Sequence, residues 1–243
     1  MQPPLFDHAL TPATREADSP LAILTLSELA ITLQSADILR SLGYPPETNP
    51  PSAIVQSVEG LMREADAYLQ PRGTYSLYAP TAWTARSLEI GGSRIIGNVS
   101  EFLRGADRIA VFMVTVGSKI TRQASMRCEA GDAFAGLVLD TIGSWAAELT
   151  AEALMTKLAS HLGPEESFTL RYSPGYCGMD LSQQRLLFRL APAATAGISL
   201  LPSLFMQPLK SISGLVGLGP RSVVGVHFSP CERCPQVGCH MRR

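Results

Sequence analysis

The sequence predicts an α+β protein in which a mixed or antiparallel twisted sheet is flanked by helices. Short β-branched runs are scattered between helical segments, and a Pro-free stretch over 136–162 is long enough for one helix. A wound parallel sheet would instead require regular strand–helix alternation. We expect a single domain over 21–229, between a flexible arm at 1–20 and a cysteine-rich tail at 230–243.

The individual elements follow from the positions of apolar runs and breakers. In the N-terminal part we expect a strand at 26–33, a helix capped by Ser35 and ending near Leu42, and a helix from Ser52 to about Leu69. Strands are then expected at 74–78, 88–90, 95–96 and 109–116, with a helix over 117–128 after them and a last strand at 223–228.

Composition restricts the possible functions. The 243 residues are 46% hydrophobic and 17% charged, enough to build one sizeable core. The net charge of −1 does not favour binding to nucleic acid or to an anionic membrane surface. No run of about 18 apolar residues is present, and the N-terminus lacks a basic start followed by an apolar core. We therefore expect a cytoplasmic protein without a signal peptide.

The most informative stretch begins with Phe168-Thr-Leu-Arg171 and continues with Tyr-Ser-Pro174-Gly175-Tyr176. Its apolar residues predict the end of a strand, and Pro174 with Gly175 turns the backbone just after a guanidinium. Arginine can stack on a flat heteroaromatic ligand or bond its edge, glycine lets the backbone approach it, and tyrosine supplies a wall. Alone, however, the pattern more often marks an ordinary turn.

The helix predicted over 136–162 carries a polar stripe beside its apolar face. The apolar face is predicted from the spacing of Val138, Ile142, Trp145, Leu149 and Ala153. Asp140, Ser144 and Glu148 lie four residues apart and share a different face. In isolation, carboxylates on such a face are typical of a solvated helix surface.

A third block, residues 198–219, is apolar but interrupted by small residues and prolines. Ser211, Ser213, Gly214 and Gly217 predict backbone packed closely against something flat, or a tight strand crossing. The glycine spacing does not match a phosphate-binding loop, and Lys210 precedes the glycines instead of following them.

In this order and at this separation, the three blocks resemble the activation (reactivation) domain of cobalamin-dependent methionine synthase, here as a free-standing small protein. The family signature Arg-x-x-x-Gly-Tyr is present as Arg171, Gly175 and Tyr176, and the acidic helix upstream matches the segment around Glu148. The pattern Ser-x-x-Met-x-Pro followed by Ser-x-Ser-Gly is matched by Ser203, Met206, Pro208, Ser211, Ser213 and Gly214. The resemblance covers about residues 105–220.

The resemblance implies that the chain binds S-adenosylmethionine. Glu148 would meet the ammonium or sulfonium of the methionine end, since a cation in a partly desolvated cleft favours a carboxylate partner. The nucleoside would lie against Arg171, the peptide groups of Pro174 and Gly175, and Tyr176. The implied cofactor-binding set is completed by Ser211, Ser213 and Gly214. One departure is that Cys177 follows the signature directly, where the family has a Cys-Pro pair a few residues later.

The implied function is reactivation of a corrinoid-dependent methyltransferase such as methionine synthase. A low-potential electron donor reduces its cob(II)alamin, and S-adenosylmethionine then methylates the cobalt. Cobalamin must be carried by a partner, because the Asp-x-His-x-x-Gly motif that supplies the lower cobalt ligand is absent. As a methyltransferase component, this chain would position the methyl group without a catalytic residue of its own, and its run 211–219 would receive the corrinoid. An unrelated methyltransferase is disfavoured, since no Rossmann-type glycine turn follows a first strand.

The C-terminal tail supports a second hypothesis. Cys231, Cys234 and Cys239 have C-x2-C-x4-C spacing, and clustered thiols in a reducing cytosol are more often metal ligands than disulfides. With His240 or Cys177 as a fourth ligand, they predict a zinc site or an iron–sulfur cluster. Redox-active thiols and an inert tail remain alternatives. The second hypothesis is a non-enzymatic docking or electron-transfer partner of a corrinoid protein that uses this metal site.

Overall fold

The computed structural model describes residues 18–45 and 47–224. In chain order the elements are β1 (Ala22–Leu26), α1 (Ser35–Ser41), α2 (Ser52–Ala65), β2 (Arg72–Tyr78), β3 (Ala82–Trp83), β4 (Ser87–Ile90), β5 (Ser93–Ile96), α3 (Val99–Phe102), β6 (Arg108–Thr115), α4 (Lys119–Glu129), α5 (Ala133–Ala159), β7 (Glu166–Phe168), α6 (Gln184–Leu190), β8 (Ser199–Leu200), β9 (Met206–Gln207), β10 (Ser211–Pro220) and α7 (Arg221–Val224). Short 3₁₀ turns precede and follow α6.

The centre of the fold is a five-stranded antiparallel sheet with the strand order β1-β2-β6-β10-β7. In its middle, Phe112 of β6 lies opposite Tyr75 of β2 on one side and Gly214 of β10 on the other. Both faces of the sheet are covered, which explains why β6 reads as one continuous apolar run rather than an alternating one. The predicted α+β class is confirmed.

Two layers enclose this sheet. On one face, Ala151, Leu154 and Leu158 of α5 pack against a cluster that includes Tyr75 and Phe112. On the other face, the segment from β4 to α3, together with α6 and the turns around it, buries a second cluster. Helices α1, α2 and α4 pack against the N-terminal half of α5 through a third cluster. Helix α5 therefore lies between the sheet and helices α1, α2 and α4.

Several element boundaries differ from those expected. The strand predicted at 26–33 is wrong beyond Leu26, because β2, its partner, begins at Arg72 and leaves no strand to pair with residues 27–33. Ser35 is the first residue of α1 and makes no capping hydrogen bond there. Val223 and Val224 lie in α7 rather than in a strand, and the rest of that predicted strand lies outside the described residues.

The buried face of α5 is also rotated from the predicted one. Val138 and Ile142 are buried as expected, but Trp145 is only half-buried. Ala146 and Ala147 take the core positions instead, since the helix is covered from two sides by the sheet and by α4. The predicted apolar face was therefore too narrow, because a helix that packs between two layers is buried on more than one side.

The edge strand β7 is fastened to the sheet by one carboxylate. Glu166 accepts a hydrogen bond from the Gly163 backbone N–H at 2.7 Å and pairs with Arg108 of β6. The hydrogen bond from Gly163, followed by that from Arg108, lowers the pKa of the Glu166 carboxyl below its ordinary value. The short strand that leads into the signature turn is thus held by charge as well as by backbone pairing.

Within residues 18–45 and 47–224, none of the helices is both long enough and apolar enough to cross a membrane.

Candidate functional site

The signature turn is formed where the chain leaves the edge of the sheet after β7. Tyr172 makes an isolated antiparallel bridge with Leu215 of β10, with backbone hydrogen bonds of 2.8 and 2.9 Å. The backbone then folds back, with the Gly175 N–H donating to the Met179 carbonyl at 2.9 Å and the Met179 N–H donating to the Tyr176 carbonyl at 2.8 Å. The turn over 173–179 is therefore a closed loop with its own internal hydrogen bonds.

Gly175 is required by the backbone conformation rather than by space. Its φ is +89°, in the left-handed region, while an added Cβ would meet its first neighbour, Leu181 Cδ1, only at 3.9 Å. Tyr176, next in the chain, is 55% exposed. The turn thus places an exposed aromatic ring directly after an exposed glycine.

Helix α5 presents its polar stripe to this turn. The helix begins after Asp132, whose carboxylate accepts a hydrogen bond from the Ala135 N–H at 3.1 Å. Two turns of helix later, Asp140, Ser144 and Glu148 follow one another along one side of the helix. The stripe is partly covered by the chain segments beside it, so its carboxylates are not simply solvated.

An ion pair joins the turn to the helix. The Arg171 guanidinium lies 2.8 Å from the Glu148 carboxylate, and the two side chains are 28% and 45% exposed. These residues are 23 positions apart in the sequence and come from two of the three blocks that the sequence analysis selected. The structure therefore brings together the two predicted charged residues in a position open to solvent on one side.

Lys210 is a second cation on the same stripe, and the sequence analysis assigned it no role. Its ammonium lies 2.7 Å from Asp140 and 2.8 Å from the Ser144 hydroxyl, and its side chain is only 11% exposed. The Lys210 side chain packs over Gly143, where an added Cβ would come within 3.2 Å of its methylene chain. The glycine therefore leaves room on the helix surface for the lysine. The sequence contained a signal that could have found it: a lysine directly before a strand, in a chain whose long helix carries an acidic stripe.

The three residues of the third block that the resemblance assigns to cofactor binding lie in β10, where they are buried or half-buried. Ser213 is 4% exposed and donates to the Gln184 side chain at 3.1 Å, while Ser211 donates to the Pro208 carbonyl at 2.6 Å. Gly214 is buried, and an added Cβ would come within 2.7 Å of Ser173 Oγ. The two serine hydroxyls thus already have partners within the protein, and Gly214 packs closely against Ser173 of the turn.

The expectation that the run 211–219 receives a corrinoid is wrong. This run is strand β10, which is paired with β6 on one edge and with β7 and Tyr172 on the other, and its residues 213–219 are buried. The small residues serve close packing, since an added Cβ on Gly217 would lie 2.6 Å from Ala106. Of the two readings the sequence allowed, the tight strand packing is the one the structure has.

An open pocket of about 400 Å³ lies beyond the ion pair, between the second half of α5 and the segment that follows β7. It is lined by Glu152, Met155, Thr156, Ala159, Phe168, Thr169, Leu170 and Arg171. Arg171 therefore belongs both to the ion pair with Glu148 and to the lining of this pocket.

The predicted metal ligands Cys231, Cys234 and Cys239 lie outside the described residues. Within the described part of the chain, no group of three or more metal-binding side chains comes together. Cys177, considered as a fourth ligand, is half-buried in the turn and is not part of a disulfide within the described residues. The zinc or iron–sulfur site remains a prediction from the sequence.

Comparisons with known proteins identify the family of the chain. A family model described as "Vitamin B12 dependent methionine synthase, activation domain" matches residues 99–225, which is more than half of the chain. Among solved structures, the fold is similar to that of the MetH reactivation domain bound to AdoHcy, with a TM-score of 0.62 and 17% sequence identity over 90% of this chain and 89% of that one. No curated protein matches the sequence significantly. The matched residues include α5, the signature turn and β10, and the chain thus belongs to the family of vitamin B12-dependent methionine synthase activation domains.

Proposed function

We propose that this chain binds S-adenosylmethionine between the α5 stripe and the signature turn, and that it acts in trans to reactivate a corrinoid-dependent methyltransferase. The observation that carries the proposal is the 2.8 Å contact between Arg171 and Glu148. It places an anionic and a cationic group side by side next to a turn with an exposed tyrosine. The AdoHcy bound to the related reactivation domain is the demethylated form of the proposed ligand.

The residues fit the ligand in charge. S-adenosylmethionine carries a carboxylate and an ammonium on the same carbon, with a sulfonium close by. The Arg171 guanidinium can bind the ligand carboxylate, and the Glu148 carboxylate can bind the ligand ammonium. Each exchanges part of its present ion pair for a charged hydrogen bond to the ligand. Arg171 is suited to this exchange because its five donors are not all used by one carboxylate.

This geometry modifies the assignment made from the sequence. Since Arg171 and Glu148 touch, both reach the same end of a ligand, and the amino-acid end is the one with two opposite charges. The nucleoside then lies along Pro174, Gly175 and Tyr176. The N–H groups of Gly175 and Tyr176 already donate within the turn, so the turn offers carbonyl oxygens, which suit an exocyclic amino group.

The exposed side chains beside the turn are the proposed receiving surface for the corrinoid, in place of the buried run 211–219. Tyr176 and Leu181 are both largely exposed, and Leu181 lies next to Gly175. An apolar and aromatic rim around a charged site favours the flat, partly apolar face of a corrinoid.

The contribution of this chain to the chemistry is positioning. Bound S-adenosylmethionine supplies an electrophilic methyl group to cobalt that an external donor has reduced, leaving S-adenosylhomocysteine. Arg171 and Glu148 hold the amino-acid end, and the rigid turn fixes the nucleoside, so the methyl group is directed to one side of the site. Reducing the freedom of the ligand in this way lowers the barrier to transfer without a proton donor or acceptor.

The proposal is tested by combining this protein, S-adenosylmethionine, a low-potential electron donor and a methyltransferase in the cob(II)alamin state. Methylcobalamin is expected to form, as followed by its absorption spectrum. Arg171→Ala should weaken S-adenosylmethionine binding by about 1.5–3 kcal/mol through the loss of a charged hydrogen bond. The matched control is Arg40→Ala, which removes an exposed arginine paired with Asp37 on α1.

Two results would contradict the proposal. One is a calorimetric titration in which neither S-adenosylmethionine nor S-adenosylhomocysteine binds at millimolar concentration. The other is normal ligand binding without methylcobalamin formation by a partner that this protein nevertheless binds tightly. The second result would favour the alternative of a docking or electron-transfer protein that uses the cysteine-rich tail.

A further inference from the structure

Tyr172 is a buried residue inside the signature that neither the signature nor the family match assigns a role. It is 1% exposed, and its ring stacks on Phe102 with a centroid distance of 4.5 Å and an interplanar angle of 15°. Its hydroxyl donates to the Cys177 carbonyl at 3.1 Å and accepts from the Asn98 N–H at 2.9 Å. One hydroxyl thus connects the far end of the turn to the loop before α3.

One residue of the turn has a backbone conformation that needs support from its surroundings. Gly175 and Gly178 have positive φ angles of +89° and +84°, which glycine adopts readily, but Cys177 has a φ of +22° although it is not a glycine. A non-glycine residue held at positive φ persists only where its surroundings fix it. The Tyr172 hydroxyl donates a hydrogen bond to the carbonyl of this residue, Cys177.

The surrounding residues are arranged to admit this hydroxyl. An added Cβ on Gly97 would lie 2.7 Å from the Tyr172 oxygen, so the backbone passes it as closely as a glycine allows. Burial raises the pKa of the Tyr172 hydroxyl, which therefore stays protonated and keeps donating across the neutral range. Backbone pairing with Leu215 fixes the other side of the same residue.

We infer that Tyr172 is a positioning residue for S-adenosylmethionine: through its two hydroxyl hydrogen bonds it holds the turn over 173–179 in the conformation that receives the nucleoside. It does not contact the ligand itself, because it is buried behind the turn. The inference rests on the proposed function for its ligand. The preorganisation of the turn, however, is a separate property that can be measured without one.

The decisive variant is Tyr172→Phe, which keeps the stacked ring and removes both hydrogen bonds. The matched control is Tyr78→Phe, because Tyr78 is also buried and its hydroxyl donates to the Leu190 carbonyl at 2.7 Å, away from the turn. Tyr172→Phe is expected to weaken S-adenosylmethionine binding about tenfold by calorimetry, whereas Tyr78→Phe leaves it unchanged. In the reactivation assay the half-saturating S-adenosylmethionine concentration should rise, with the rate at saturation preserved.

A second measurement tests the turn without any ligand. Amide hydrogen exchange over 173–179 should be several-fold faster in Tyr172→Phe than in the wild type, and unchanged in Tyr78→Phe. Unchanged exchange in Tyr172→Phe overturns the inference whether or not the ligand binds. So does a Tyr78→Phe protein that loses affinity equally, since the effect would then be one of general stability. A wild-type protein that binds no S-adenosylmethionine refutes the proposed function alone, and the exchange result still decides whether Tyr172 holds the turn.

Discussion

Replacing Glu148 by glutamine separates the charge of the helix carboxylate from its shape. The side chain is 45% exposed and its partner Arg171 is 28% exposed, so the ion pair lies close to solvent. Exposed pairs of this kind contribute roughly 0–1 kcal/mol to stability. Glu148→Gln is therefore expected to fold normally, with an unfolding free energy within about 1 kcal/mol of the wild type.

The effect on ligand binding should be larger. Losing a charged hydrogen bond to the ligand ammonium costs about 1.5–3 kcal/mol, and this loss applies equally to S-adenosylmethionine and S-adenosylhomocysteine. Only S-adenosylmethionine also carries a sulfonium. At a separation of roughly 5 Å and an effective dielectric constant of about 40–80, its attraction to the carboxylate is about 0.8–1.7 kcal/mol. Glu148→Gln should thus weaken S-adenosylmethionine binding about 4- to 17-fold more than S-adenosylhomocysteine binding.

The assay is calorimetric titration of both ligands into the wild type, Glu148→Gln and the control Glu152→Gln. Glu152 is the next carboxylate along α5 and is exposed. It lines the pocket beyond the ion pair, so its replacement removes a charge one helical turn from Glu148 while the Arg171–Glu148 pair stays in place. The difference between the two ligands should shrink as salt is added, because a half-exposed charge is screened. Equal losses for both ligands would place the sulfonium away from Glu148. Unchanged binding, or an equal effect of Glu152→Gln, would refute the assignment of this carboxylate.

Three further predictions concern the turn, the tail and the edge strand. Gly175→Ala should destabilise the protein by about 1–2 kcal/mol and also weaken S-adenosylmethionine binding, whereas Gly131→Ala, with a similar φ of +87° and nothing within 4 Å, should cost stability alone. Protein purified without oxygen should contain about one equivalent of zinc or of an iron–sulfur cluster. Deleting residues 230–243 should remove this metal and leave the far-UV circular dichroism unchanged. Metal analysis that finds neither zinc nor iron would favour an inert tail. The Gly163 N–H helps to lower the pKa of the Glu166 carboxyl, so the stabilisation from the ionised carboxylate is present above the ordinary pKa of 4.5 and is lost as pH falls through the lower folded-state pKa. Glu166→Gln should therefore show a shallower loss of stability below pH 4.5 in urea titrations. Identical slopes for the two proteins would refute this.

The sequence by itself determined the elements that local chemistry controls. The long helix α5 was predictable because it lacks proline over its whole length and has apolar residues at helical spacing. The signature turn was predictable because Pro174 restricts the backbone, Gly175 permits the positive φ of a turn, and both follow an apolar run. The order of these blocks was also sufficient to identify the family, which the family model over residues 99–225 confirms.

The tertiary structure decided which side chains meet and which are covered. The sequence could not show that Arg171 would pair with Glu148, because contacts between distant positions depend on how a helix is rotated over a sheet. It likewise left the role of the run 211–219 open, since glycines pack equally well against a ligand and against Ala106. The roles of Lys210 and Tyr172 depend on partners that are distant in the sequence. Lys210 pairs with Asp140, and the Tyr172 hydroxyl accepts a hydrogen bond from the Asn98 N–H. Local sequence patterns determine the backbone conformation. Which side chains are buried and which are paired depends on the layers that pack around them, and these layers form only when the chain folds.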